Sequence, residues 1–237
     1  MYKVTIKPKS FFKSNLTSIT LSGAIFSTIA DVLDENILDQ IYSGKETLVV
    51  SNIYPDGCIL KDYDYLLDSC GNTLNYRYDR VDFVRKSYNG VFRGYTNGFN
   101  GLMYFLIETT LNKDVLENIL NITFTNGIGA MKSVGYGSFD VVSIKDFKID
   151  DTDSNGYMTL SDYIPNKDDS TFGDFTARII RSLTHDGKEK APVYVVNAGS
   201  KFFGKLKSNI IGQIIKDENT GSFLSGQSLV IPIKISD

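Results

Sequence analysis

The stretch GIGAMKSVGYGSF, residues 127 to 139, constrains the fold more than any other part of the chain. It sets four glycines between an apolar pattern of helical spacing and one that alternates as a strand does. A helix that reaches a strand through so much unhindered backbone does so by a tight turn, or by a loop whose main-chain N–H groups can come close to a phosphate. Upstream, Asn112 is placed to cap a helix through Val115, Leu116, Ile119 and Leu120, and GLMYFLIET at 101–109 is apolar and aromatic enough for a central strand. Downstream, SFDVVSIKDF alternates, with Phe139 and Val141 on one side and Val142 and Ile144 on the other.

The chain begins in the same manner. Tyr2, Val4 and Ile6 alternate with Lys3, Thr5 and Lys7, a half-buried strand ended by Pro8. Leu21, Ala24, Ile25, Thr28, Ile29, Val32 and Leu33 then share one helical face, with Thr17, Ser18 and Thr20 as candidate caps. LVVSNIYPDG at 48–57 reads as a short buried strand running into a turn. The order β-α-β, insertion, β-α-loop-β is that of a ferredoxin-like (RRM-like) sandwich, with the glycine stretch joining its second helix to its last strand. The expected class is α+β with two ferredoxin-like domains, the second degenerate and mostly β. The first is expected over 1–147, with an inserted region at 58–100, and the second over 148–237. In the second, TARIIRS with PVYVVNAG, and SNIIGQIIK with SLVIPIKI, read as hairpins.

Hydrophobic residues at 42% and charged residues at 22% suit a globular protein and exclude disordered and fibrous classes. The apolar runs are shorter than the ~20 residues of a membrane span, and the opening MYKVTIKPKS has no signal-peptide core, so a cytoplasmic location is expected. Cys58 and Cys70 are read as free thiols. The net charge of −3 hides segregation: five cations face two acids from Arg77 to Arg93, and Lys201, Lys205, Lys207 and Lys216 lie in a run without acids.

Three motifs have plainer readings beside their chemical ones. DTDSNGYMTLSD at 151–162 has the spacing of a calcium loop, but Asp162 stands where a bidentate Glu belongs and Pro165 would break the exiting helix, so an acidic turn is preferred. GSKFFGKL at 199–206 nearly matches a phosphate loop, yet Leu206 removes the hydroxyl that would hold magnesium. His185, the single histidine, lies in THDGKEKA, where Asp-Gly is ordinary turn chemistry; a metal-independent ribonuclease using it as acid-base is the enzyme alternative. The glycine stretch carries more. Lys132 and Ser133 offer a cation and a hydroxyl, and Tyr136 stands between Gly135 and Gly137 as a ring that can stack. Backbone donors and cations on phosphates, with aromatic faces on bases, are how single-stranded RNA is held.

The pattern Gly127, Gly129, Ser133, Gly135, Gly137, Phe139 resembles the glycine-rich loop of the RAMP superfamily of CRISPR proteins. Within it, the nearest likeness is to the branch that caps the 5′ handle of the crRNA in the type III-A Csm effector complex. LSGAIF at 21–26 resembles that family's first helix, SNIYPDG its Pro-Gly motif, YMTLSDYIP the opening of its second domain, and NAGSKFFG with SLVIPIKI its C-terminal signature. The resemblance implies a non-catalytic, cofactor-free subunit of an antiviral ribonucleoprotein. Such a subunit grips the crRNA 5′ handle and links the large polymerase-like subunit to the backbone RAMP subunits. Carried over, Gly127, Gly129, Lys132, Ser133, Gly135, Tyr136 and Gly137 would line the RNA, with Ser22 and Gly23 nearby. Arg85 and Arg93 join the set on charge placement alone.

Overall fold

Alternation at the N-terminus gives β1 (Tyr2–Pro8), and the apolar stripe that follows gives α1 (Ser18–Val32). A short second helix, α2 (Glu35–Tyr42), departs from the expected order; its Ile41 is fully buried against the same core. The computed structural model describes residues 1–237 except 11, 13–15, 34, 57–77, 88–89, 100, 130–131, 150–153, 168, 170–171, 182–188, 207, 218–219 and 236–237. Cys58, Cys70, Asp151, Asp153 and His185 lie outside the described residues.

β2 (Leu48–Val50) and β3 (Tyr54–Pro55) both pair antiparallel with β6 (Met103–Thr109), as two halves of one interrupted strand. Between them the Ser51 hydroxyl accepts the Leu106 N–H at 2.9 Å, standing in for a backbone acceptor. The inserted region contains a ribbon of its own, β4 (Tyr78–Ser87) with β5 (Gly90–Phe99). After β6 come α3 (Lys113–Asn126), capped as expected by Asn112, whose side chain accepts the Asp114 N–H, and β7 (Phe139–Asp146). The strand order β2-β6-β1-β7 with two helices on one face is the ferredoxin-like arrangement. One face of this sheet, through Val4, Ile6, Phe105 and Ile107, packs on Leu21, Ile25 and Ile29 of α1 and Leu116, Leu120 and Phe124 of α3.

The second half is built of β8 (Gly156–Thr159), β9 (Gly173–Asp174), β10 (Ala177–Ile180), β11 (Val193–Val196), β12 (Lys201–Phe203), β13 (Ile210–Lys216) and β14 (Phe223–Ile233). The order β13-β14-β8-β12-β9 makes one antiparallel sheet, with β10 and β11 a separate ribbon; no helix occurs among its described residues. β14 starts at Phe223, five residues ahead of the expected SLVIPIKI, because the whole of β13 pairs with its first half while β8 takes its second.

The outer face of the first sheet, which an RRM-like reading leaves open to RNA, is covered. Val49, Tyr54, Tyr104 and Leu106 pack against Met158, Leu160, Leu229, Ile231 and Ile233 of the second half. The polar joints are specific: Tyr54 Oη donates to Leu160 O at 2.9 Å, Ser161 Oγ to Val50 O at 2.7 Å, and Asn52 N to Leu160 O at 2.8 Å. Tyr42 of α2 stacks on Phe223 at 3.9 Å between centroids. Burial, reinforced by the Asp56 carboxylate, pushes the Tyr104 phenol well above its ordinary range, and burial does the same to Tyr163.

Candidate nucleic-acid interface

Gly127 ends α3 with φ +83°, a backbone conformation that favours glycine. Ile128 then turns inward to the core and its N–H donates to Gly137 O at 2.9 Å. At this crossing the two strands of the loop touch backbone to backbone. A Cβ on Gly127 would lie 2.6 Å from Tyr136 O, and one on Gly137, at φ +76°, only 2.0 Å from Ile128 O. The base of the loop is thus closed by two glycines that nothing larger replaces. Ser138 fastens it further: its N–H donates to Ser10 Oγ at 2.9 Å and its carbonyl accepts the Lys9 N–H at 2.9 Å. Phe139 anchors the exit between Phe12 and Phe124.

The rim differs from the base. Lys132–Val134 form one 3-10 turn, closed by Gly135 N donating to Lys132 O at 3.0 Å. Lys132, Ser133 and Gly135 are exposed, and a Cβ on Gly135 would meet nothing within 4 Å although its φ is +88°. Tyr136 is half-buried. Gly129 (φ +83°) lies close to Leu16, just ahead of α1. The loop therefore has two parts: a base made of close backbone contact, and an open rim carrying an ammonium and a hydroxyl.

The remaining candidates fall elsewhere. Ser22 is buried and its hydroxyl donates to Ile19 O of its own helix at 3.2 Å, so it faces the core, whereas Gly23 beside it is exposed. Arg85 and Arg93 belong to the separate ribbon, opposite Phe92 and Val84 respectively.

The calcium-loop alternative is not formed. Its Gly156 to Thr159 is strand β8, Asn155 holds the Ile235 backbone through both ends of its amide, and Asp162 is buried with its carboxylate bound to Arg178 and to the Ala198 N–H. The phosphate-loop near-match likewise contains strand β12.

A polar junction made with a residue distant in sequence holds α1 in place. None of the expected caps serves through its side chain at Thr17; instead Asn52 Oδ1 accepts the Ser18 N–H at 2.7 Å, and Ser18 Oγ accepts the Asp162 N–H at 3.2 Å. Asn52 sits in an interrupted strand where a polar residue between apolar runs is the one available signal.

No family model matches the chain, and no curated protein matches it in sequence. Solved structures do match, over its whole length. A chain of the Csm3–Csm4 subcomplex of the type III-A CRISPR-Cas interference complex superposes with a TM-score of 0.64 at 16% identity, covering 99% of this chain and 100% of the other. Chains of the Csm1–Csm4 cassette match with TM-scores of 0.58 with AMPPNP and 0.59 with cA4, at 15% and 14% identity and full coverage of both chains. Among the described residues no helix is long and apolar enough to cross a membrane. The subunit common to those complexes is Csm4, and it is the fold of Csm4 that this chain shares from end to end.

Proposed function

We propose that the protein is the crRNA-anchoring subunit of a type III-A CRISPR effector complex. It grips the 5′ handle with the loop of residues 127–137 and joins a large polymerase-like subunit to the RAMP backbone. The observation that carries this reading is the two-part loop: a base that a Cβ would force apart, holding an exposed turn with Lys132 and Ser133 at its tip. A turn held on a closed base offers its cation and hydroxyl to a phosphate without first having to order itself. The fold likeness supports the partners, since Csm4 is solved with Csm3 in one complex and with Csm1 in another. Because the outer sheet face is already covered, RNA is met at the loop and at sheet ends instead. Gly23 adds an unobstructed patch on α1, whereas Ser22 faces the core, and Arg85 and Arg93 add cations from the inserted ribbon.

The role asks for binding and no chemical step. Repeat RNA incubated with the purified protein in EDTA should be bound and left intact. Cleavage that disappears in His185→Ala would establish the ribonuclease in place of the anchor. Lys132→Glu should weaken RNA binding and lower the slope of log affinity against log salt by about 0.7, the share of a single phosphate on a single strand. Unchanged affinity and slope would remove the loop from the interface. The tagged protein should also bring down crRNA together with a large polymerase-like subunit and a RAMP backbone subunit.

A further inference from the structure

The second half of the chain exposes large apolar side chains in one region. Among the described residues, Phe172, Phe175, Ile179 and Tyr194 are 72%, 41%, 67% and 51% exposed, while Val32, Leu102 and Val142 are the others of this kind and lie in the first half. Two of the four flank the edge strand β9. Phe175 is the outermost ring of a column: it stacks on Phe202 at 5.8 Å and 21°, and Phe202, fully buried, stacks on Tyr157 at 5.5 Å and 28°. Phe175 thus meets a ring on its inner side while 41% of the residue stays exposed. Phe172, at the other end of β9, leans on Phe203 at 5.3 Å.

Along this segment of the sequence, which Asp169 precedes, the described cations outnumber the acids. From Phe172 to Lys205 the described residues include Arg178, Arg181, Lys190, Lys201 and Lys205 against Asp174 and Glu189, in a chain whose net charge is −3. Arg178 is engaged by Asp162, and Asp174 stands opposite Lys201 in the strand register; Arg181 and Lys205 are exposed. An aliphatic partner surface would need no open ring face. A planar group would extend the column by one member, and a polyanion carrying planar groups would meet the cations as well.

We propose that the β9 edge is a stacking platform for single-stranded RNA, with a base on Phe175, a second on Phe172 and the phosphates drawn to Lys205. This rests on reading the protein as RNA-binding but not on the glycine loop, and it gives the loop-free half of the chain an RNA contact of its own. Stacking on an aromatic residue is tolerant of base identity, so the platform would hold a strand without reading it.

The test uses the full-length protein with labelled oligouridine and with the same strand lacking its bases. Phe175→Leu should weaken oligouridine binding about tenfold and leave the salt slope unchanged, because removing a stack releases no counterions. Phe175→Trp should keep the affinity while preserving the packing on Phe202, and Phe172→Leu should give a smaller loss. The wild type should bind the base-free strand more weakly than oligouridine, and that gap should shrink in Phe175→Leu. Lys132→Glu, which lowers the salt slope if the loop reading holds, reports on the loop separately. Loss in Phe175→Leu with no effect of Lys132→Glu would sink the loop and keep the platform. Equal affinity of wild type and Phe175→Leu for oligouridine, or equal affinity for the two strands, would overturn the platform. So would a protein partner that Phe175→Leu releases while oligouridine binding persists.

Discussion

Gly135 and Gly137 lie two positions apart and differ by 12° in φ, yet alanine should be tolerated at one and not at the other. At Gly135 (φ +88°) an added methyl meets nothing within 4 Å, so the cost is that of holding an L-residue in the left-handed region, about 1–2 kcal/mol. At Gly137 (φ +76°) the same conformational cost applies, and in addition the methyl would lie 2.0 Å from Ile128 O and 2.9 Å from Ile128 N. Neither atom is the end of a flexible side chain. Relieving the clash means breaking the Ile128 N–H to Gly137 O bond or shifting the end of α3, an overpacking term of about 1–3 kcal/mol. Gly137→Ala should therefore lose about 2–5 kcal/mol and Gly135→Ala about 1–2 kcal/mol. Against a typical total of about 5–15 kcal/mol, the larger loss is visible at once. Urea unfolding followed by far-ultraviolet circular dichroism measures the pair, with the effect read as a shift of midpoint at constant slope. Coincident midpoints for the two variants would refute the claim that the loop's base is held by backbone contact.

Arg178→Ala should destabilise more than Asp162→Ala. The first leaves a buried carboxylate with the Ala198 N–H as its remaining described donor, at about 3–5 kcal/mol; the second orphans that N–H at about 1–3 kcal/mol and frees a half-exposed guanidinium to reach water. Chemical denaturation of both variants should show that order, and the reverse order would show that the arginine is dispensable to the junction. The raised phenols of Tyr104 and Tyr163 give a second expectation. Their folded pKa values lie above the unfolded value near 10, so the unfolded chain releases these protons first. Stability is then intact below about pH 10 and declines as the pH climbs further. Tyr104→Phe should flatten that decline in alkaline melting curves, and an unchanged slope would count against burial of the phenol.

What is legible in the sequence is what neighbours dictate. β1, α1, β6 and α3 announce themselves through period and through a local cap, since Asn112 acts two residues away. The cap of α1 comes from Asn52, 34 residues on, and no local pattern points there. The register slip that pairs Thr5 with Ser143 and Ile6 with Val141 pushes Val142 outward, and an alternating run does not record where its partner bulges. The covering of the outer sheet face has a signal that the RRM-like reading passes over. MYFLI in β6 is apolar at consecutive positions, which a strand needs only when both faces are buried. In the loop, the glycine spacing can be read from the sequence. Its division into a closed base and an open rim cannot, because it depends on which residue of 127–129 lies across from which residue of 135–137.

The inserted region leaves and rejoins the sheet at one rung. Pro55 is paired with Met103, and the Asp56 N–H donates to Leu102 O at 2.8 Å. Departure and return are neighbours across a ladder, so the ends are pinned whatever lies between them, and extra length in such a closed detour adds only slowly to the entropy of closure. The architecture thus has a socket: what is plugged in between 56 and 102 can lengthen, shorten or change its charge over generations without the sheet beneath having to renegotiate its register.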